Sequence, residues 1–168
     1  KELGNTLNEL LQLVIDGECP NEKEKLLEIV ESMYIGRRMW LVKLFTHTDL
    51  DGVGCAVLAK FAFGNDVDIE YCNYDDIDSK VEEYFDSGLE YDCHITDISI
   101  NEELAHKISE SEKTYCLLDH HATALNLNKF DWCTVKVENE DGIKTSGTEM
   151  YYNYLISNGF LNECDVLD

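Results

Sequence analysis

The stretch Leu41-Val42-Lys43-Leu44-Phe45-Thr46-His47-Thr48-Asp49-Leu50-Asp51-Gly52-Val53-Gly54 passes from an apolar run, through a polar cluster, into a helical pattern. An apolar run bounded by turn residues reads as a buried strand, and small residues after it read as the opening of a helix. Two later stretches repeat the plan. Tyr91 to Ile95 leads into Thr96-Asp97, and Tyr115 to Leu118 leads into Asp119-His120-His121. The chemistry-bearing residues therefore fall again and again at predicted strand ends. In a parallel α/β sheet the carboxyl ends of neighbouring strands share one edge, and ligands bind there. Carboxylates and imidazoles gathered at such an edge suit divalent cations such as Mn²⁺ or Mg²⁺. The chemistry expected of them is metal-assisted hydrolysis, in which water becomes nucleophilic near neutral pH.

Outward from this stretch, strand and helix signals alternate. Strands are predicted near 40–46, 68–73, 92–96, 114–118 and 133–138, and helices over 52–63, 77–86, 101–111 and 147–157. This alternation predicts an α/β fold, a mostly parallel five-stranded Rossmann-like sheet flanked by helices. Upstream the pattern is purely helical. Leu7, Leu10, Leu11 and Val14 recur at helical spacing until Asp16-Gly17 and Pro20. Asn21 and Glu24 form a capping-box pattern, and Leu26, Leu27, Val30, Met33 and Tyr34 make a second stripe ending at Gly36 and Arg37-Arg38. Two units are expected: an N-terminal helical segment, 1–38, and an α/β domain, 39–168. Short amphipathic helices are marginal alone, so residues 1–38 are expected to pack on the main domain or to join copies into a homo-oligomer.

Composition narrows the setting. Thirteen basic residues against 35 acidic ones leave a net charge of −22. Such a surface repels polyanions and argues against stable binding of long nucleic acid by this chain alone. It does not exclude a small phosphorylated substrate, because bound cations reverse the local field. The seven cysteines are scattered without a Cys-x-x-Cys pair, which argues against a zinc ribbon and favours a reducing cytoplasm. No run is apolar enough to predict a membrane span.

Each candidate residue has a plain structural alternative. Alternate residues of an extended segment point the same way, so His47, Asp49 and Asp51 can project into one metal site; an acidic turn with a helix-capping aspartate is the alternative. Gly52 and Gly54 free the next helix start to receive a phosphate on its N–H groups. Asp97 can bridge two metals from the middle of the edge, or serve as a turn residue, though Ser99 and Asn101 compete for that capping role. His94 in the same strand reads as a structural histidine. Adjacent His120 and His121 face opposite sides, one toward metal and one toward substrate, with Asp119 orienting an imidazole; a polar loop is the alternative. Ser146 with Glu149 fits a capping box, and Ser146 and Thr148 also stand where a phosphate would meet a helix start. Tyr151, Tyr152 and Tyr154 read as core or helix surface.

These residues resemble the motifs of the DHH phosphoesterase superfamily over roughly Met39 to the C-terminus. Thr46-His47-x-Asp49-Leu50-Asp51-Gly52-x-Gly54-Cys55 looks like its first motif, Asp97 like its second and Asp119-His120-His121 like its third. The run from Asp119 to Asn128 is most similar to the oligoribonuclease branch. The resemblance implies two metals, usually Mn²⁺. His47, Asp49 and Asp97 would hold one, and Asp51, Asp97 and His120 the other. His121 would contact the scissile phosphate and Asp119 would support His120. It also implies hydrolysis of short oligonucleotides from the 3′ end, or of small nucleotide diesters, to 5′-monophosphates. A nucleotide phosphatase or pyrophosphatase and a catalytically weak interaction module are the rival readings. The family's fourth aspartate has only Asp165 and Asp168 as late candidates. Its second, substrate-binding domain has no counterpart here, so the chain is expected to be a catalytic-domain portion with weakened activity.

Overall fold

The computed structural model describes residues 11–17, 19–23, 25, 26, 29, 42–89 and 91–162. The chain divides into two compact units, Lys1–Met39 and Trp40–Asp168. In the first, residues 11–15 are helical. Gly17 closes that helix with φ +74°, and the Cys19 N–H reaches back to the Leu13 carbonyl at 3.1 Å. Glycine takes this left-handed geometry without steric cost. Of the residues singled out from sequence, Leu7, Leu10, Glu24, Leu27, Val30, Met33, Tyr34, Gly36, Arg37, Arg38, Met39, Cys164, Asp165 and Asp168 lie outside the described residues.

The second unit runs β1 (Val42–His47), α1 (Leu50–Phe63), β2 (Val67–Cys72), α2 (Ile77–Asp86), β3 (Asp92–Thr96), α3 (Glu102–Ser109), β4 (Tyr115–Asp119), a 3₁₀ helix (Ala122–Lys129), β5 (Cys133–Val135) and α4 (Gly147–Ser157). Every strand pairing is parallel, and the five strands lie in the order β2-β1-β3-β4-β5. The predicted final strand is shorter than expected: after Val135 the chain turns into an isolated bridge between Glu138 and Lys144. The 3₁₀ helix has no counterpart in the predicted elements. Its Ala124 and Leu127 are buried at a period of three, the 3₁₀ repeat.

The central strands β1, β3 and β4 are buried on both faces, as a covered parallel sheet requires, whereas the edge strand β2 exposes Asp68 and Tyr71. Val42, Leu44, Cys116 and Leu118 pack beneath α1 and α4. Phe45, Ile95, Leu117 and Cys133 pack against α2, α3 and the 3₁₀ helix. Leu44 is fully buried, and truncating such a side chain to alanine costs about 2–5 kcal/mol. Six described cysteines are free thiols, all buried; Cys72, Cys93, Cys116 and Cys133 sit on four strands and Cys55 on α1. No helix among the described residues is long and apolar enough to cross a membrane.

The strand order reverses between β1 and β3. The chain moves outward from β1 to β2, then crosses back to β3 and continues the other way. This switch opens a crevice at the carboxyl ends of β1 and β3, where His47 and Asp97 stand. Buried threonines tie the two ends together: Thr96 Oγ1 donates to Thr46 Oγ1 at 3.0 Å, and Thr46 Oγ1 donates to the Gly52 carbonyl at 3.2 Å.

Candidate metal centre

Asp49 is the N-cap of α1. Its Oδ1 accepts the N–H groups of Asp51 and Gly52, both at 3.0 Å. The tight turn carries the helix start back over β1, so a Cβ at Gly52 would fall 2.0 Å from the His47 carbonyl oxygen. Burial works against the charge on Asp49, but the Gly52 N–H and His47 outweigh it and hold its pKa below the ordinary value. Its Oδ2 lies 3.0 Å from His47 Nδ1. That nitrogen is not aligned for a hydrogen bond and is buried with no hydrogen-bond partner among the described residues.

Asp51 caps a different helix, 96 residues away. Its Oδ2 accepts the Gly147 N–H and its Oδ1 the Thr148 N–H, each at 2.8 Å, and Thr148 Oγ1 donates to its carbonyl. Burial opposes its charge, while the Thr148 hydroxyl and these N–H groups prevail and lower its pKa. The start of α4 is therefore occupied by Asp51, and the start of α1 by Asp49. The phosphate-binding reading of Gly52, Gly54, Ser146 and Thr148 meets donors already taken. Ser146 caps α4 through the Glu149 N–H, and a Cβ at Gly54 would lie 2.2 Å from Thr148 Oγ1. Close packing is sufficient reason for both glycines.

Asp97 is the centre of the arrangement. It is fully buried and holds φ +60°, the one described non-glycine residue in the left-handed region. Aspartate tolerates that region better than most residues, and such strain collects at functional sites. Its N–H bonds the Leu118 carbonyl, and a Cβ at Gly147 would come 2.5 Å from its own Cβ. Asp97 Oδ1 lies 3.0 Å from His120 Nε2, while Oδ2 is buried with no hydrogen-bond partner among the described residues. Burial, with the charges of Asp51 and Asp49 beside it, pushes its pKa up to about 8. The turn alternative loses force because Asn101 Oδ1 caps α3 through the Leu104 N–H.

His120 Nε2 also lies 3.4 Å from Asp51 Oδ2. One group, His47, Asp49 and Asp97, can hold an ion with ligand atoms within 4.8 Å of one another, and Asp97, Asp119, His120 and His121 form another. Asp119 departs from expectation. Its Oδ1 accepts the His120 and His121 backbone N–H groups and lies 2.7 Å from His121 Nδ1, while Oδ2 takes the Ser99 hydroxyl. By capping this turn the carboxylate faces the second histidine, so it supports His121 rather than His120. His94 lies within β3, packed against Phe63 of α1 and Tyr154 of α4, with Nδ1 2.8 Å from the Tyr151 hydroxyl, and burial lowers its pKa to about 4. It is a structural histidine, and Tyr151 is core.

Sequence reading missed Tyr74. Its ring lies 5.0 Å from that of His47 and 6.1 Å from that of His121, and its hydroxyl is 3.3 Å from His121 Nε2. Asn73 beside it meets the Thr48 hydroxyl at 2.9 Å. The signal was positional: both follow β2, whose last residue, Cys72, pairs with His47 at the same sheet edge.

The oligoribonuclease NrnB of Bacillus subtilis (strain 168) is 41% identical to this chain over 132 residues, which make up 74% of the chain and 33% of the relative. The chain thus spans about a third of the length of the curated relative it matches. No family model and no solved structure matches it.

Proposed function

This chain is an oligoribonuclease-like member of the DHH superfamily, and from that premise we propose that it carries the metal-dependent site of a phosphodiesterase acting on short oligonucleotides or small nucleotide diesters. The observation that carries the reading is the pair of orphaned buried atoms, Asp97 Oδ2 and His47 Nδ1, inside a cluster of three carboxylates and two imidazoles. Buried polar atoms without partners are rare and costly, and a divalent cation would satisfy both. His47, Asp49 and Asp97 would hold one ion, and Asp51, Asp97 and His120 the other. When bound there, two cations, Mn²⁺ or Mg²⁺, supply positive charge to phosphoryl oxygens and acidify water.

The chain's own groups do the rest by position. Backbone N–H groups hold Asp49 and Asp51 in fixed directions as carboxylates. Asp119 takes the Nδ1–H of His121, which orients the ring so that Nε2, beside the Tyr74 hydroxyl, is the nitrogen that would face a phosphoryl oxygen of the diester. In the hydrolysis a water oxygen bonds phosphorus, the P–O3′ bond breaks and the leaving 3′ oxygen takes up a proton, releasing a 5′-monophosphate. A net charge of −22 favours short substrates over long polyanions. Free buried thiols support a reducing setting such as the cytoplasm.

The test is calorimetric titration of the metal-free chain with Mn²⁺, beside hydrolysis of a dinucleotide and of p-nitrophenyl phosphate. Binding of two ions and a preference for the diester are expected. Absence of Mn²⁺ binding refutes the reading, and preference for the monoester replaces it with a phosphatase.

A further inference from the structure

Beside the carboxylate cluster, on the far side of His121, a cavity of about 290 Å³ opens between the loop after β2, the start of α3 and the 3₁₀ helix. We propose that this cavity is a nucleoside site, holding the uncharged sugar and base next to the phosphodiester, with Tyr74 as its stacking wall. The proposal rests on the function assigned above and adds the part of the substrate that the metal centre does not touch.

The lining chooses the ligand. Among the described residues no lysine or arginine lines the cavity, so it is not built for a second phosphate. Its floor is apolar: Ile100, Ala124 and Leu127 are all buried. Its rim is polar, with two carboxylates: Asp119 at the near end, bonded by the Ser99 hydroxyl and the His120 and His121 N–H groups, and Glu102, held by Lys129 and by the Asn126 amide at 2.7 Å. With its Nδ2 committed to Glu102, Asn126 offers Oδ1 as an acceptor. Asn101 is committed through Oδ1 to the Leu104 N–H, so its amide N–H₂ is a donor. An apolar floor under a few oriented donors and acceptors is the composition of a small-molecule site. Neutral hydroxyls and ring nitrogens match those groups, and a phosphate does not.

Tyr74 supplies the aromatic face. The side chain is 62% exposed although it sits against two histidines. An exposed ring at the mouth of such a cavity has a free face for a base, and stacking of this kind tolerates any base. The position also fits the reaction. Asp119 and His121 line the near end of the cavity, so a nucleoside there keeps its phosphate beside His121 Nε2. A second, wider and more open pocket runs along Asp49, Leu50, Asp51, Gly54 and Thr148, where the remainder of a diester can lie.

The experiment uses the whole metal-free chain, followed by amide NMR during titration with adenosine and, separately, inorganic phosphate. Adenosine should shift the Asn101, Thr123 and Asn126 amides, and phosphate should not. Y74A should weaken adenosine binding at least fivefold, with Y74F close to wild type, because the ring and not the hydroxyl stacks. T123F, which fills the cavity from an exposed position, should weaken it at least tenfold. With Mn²⁺ present, both Y74A and T123F should lower the ratio of dinucleotide to methyl p-nitrophenyl phosphate turnover. Unchanged adenosine affinity in both variants, or shifts confined to the Leu50 and Thr148 side, overturns the proposal. Adenosine binding that follows the variants in a chain that hydrolyses no diester leaves the nucleoside site standing and removes the catalytic reading.

Discussion

Replacing Asp97 by asparagine should stabilise the metal-free protein while removing its response to metal. In the metal-free fold Asp97 is fully buried next to Asp49 and Asp51, and its pKa stands at about 8 against an ordinary 3.8. The folded state therefore holds a proton that the unfolded chain has lost, and stability falls as pH rises from about 4 to about 8, then levels off. At neutral pH this penalty approaches ~4 kcal/mol as a ceiling, at 1.36 kcal/mol per pKa unit. Relaxation of the neighbouring carboxylates will reduce it, so a gain of about 2 kcal/mol in D97N is the working expectation, equivalent to roughly 4–8 °C in melting temperature. Asparagine accepts the left-handed backbone as readily as aspartate, and its amide oxygen can still face His120. The assay is thermal melting in EDTA and in Mn²⁺ from pH 5 to 9. D97N should melt higher than wild type in EDTA, by a margin that widens toward pH 8. Mn²⁺ should raise the wild type and leave D97N unmoved. A D97N protein that melts lower in EDTA, or keeps the full Mn²⁺ response, would refute this account of the cluster.

Three further outcomes are expected. Gly147→Ala should cost ~1–3 kcal/mol by overpacking and abolish the Mn²⁺-induced rise in melting temperature, since the new Cβ would collide with Asp97 at 2.5 Å. His94 stays neutral in the fold down to about pH 4, whereas the unfolded ring protonates at about 6.5; stability present above pH 6.5 is thus lost as pH falls toward 4, and H94Q should flatten that acid limb in denaturant titrations without changing Mn²⁺ affinity. Dinucleotides should be hydrolysed faster than ~20-nucleotide substrates, and raising salt from ~20 to ~200 mM should narrow the gap as screening weakens repulsion from the acidic surface.

The fold was legible because β1, β3 and β4 each announced themselves twice, by an apolar run and by the polar residues that end it. Helix boundaries at 77–86 and 147–157 and the strand at 92–96 coincide with the observed elements because caps and turns mark them locally. The co-location of His47, Asp49, Asp51, Asp97 and His120 followed from the same logic, since parallel strands deliver their ends to one edge. What sequence could not give was the wiring. That Asp51 caps α4, and that Asp119 turns to His121, depends on contacts made only when distant elements meet. The 3₁₀ helix was missed because its buried period of three spans just two side chains. Tyr74 was missed because attention to polar clusters passed over a single aromatic residue after β2.

The distribution of cysteines makes this chain its own conformational reporter. Burial drives the thiols of Cys55, Cys116 and Cys133 up to about 12 and that of Cys72 to about 11, and only the thiolate reacts with alkylating reagents. In the closed fold these sulfurs are chemically silent at neutral pH. Each becomes reactive when its own strand or helix opens, so pulsed alkylation read by peptide mass would time the opening of α1, β2, β4 and β5 separately, with no label introduced. If the sheet opens as one cooperative body the sites will alkylate at one rate, and if its edges fray first Cys72 and Cys133 will lead.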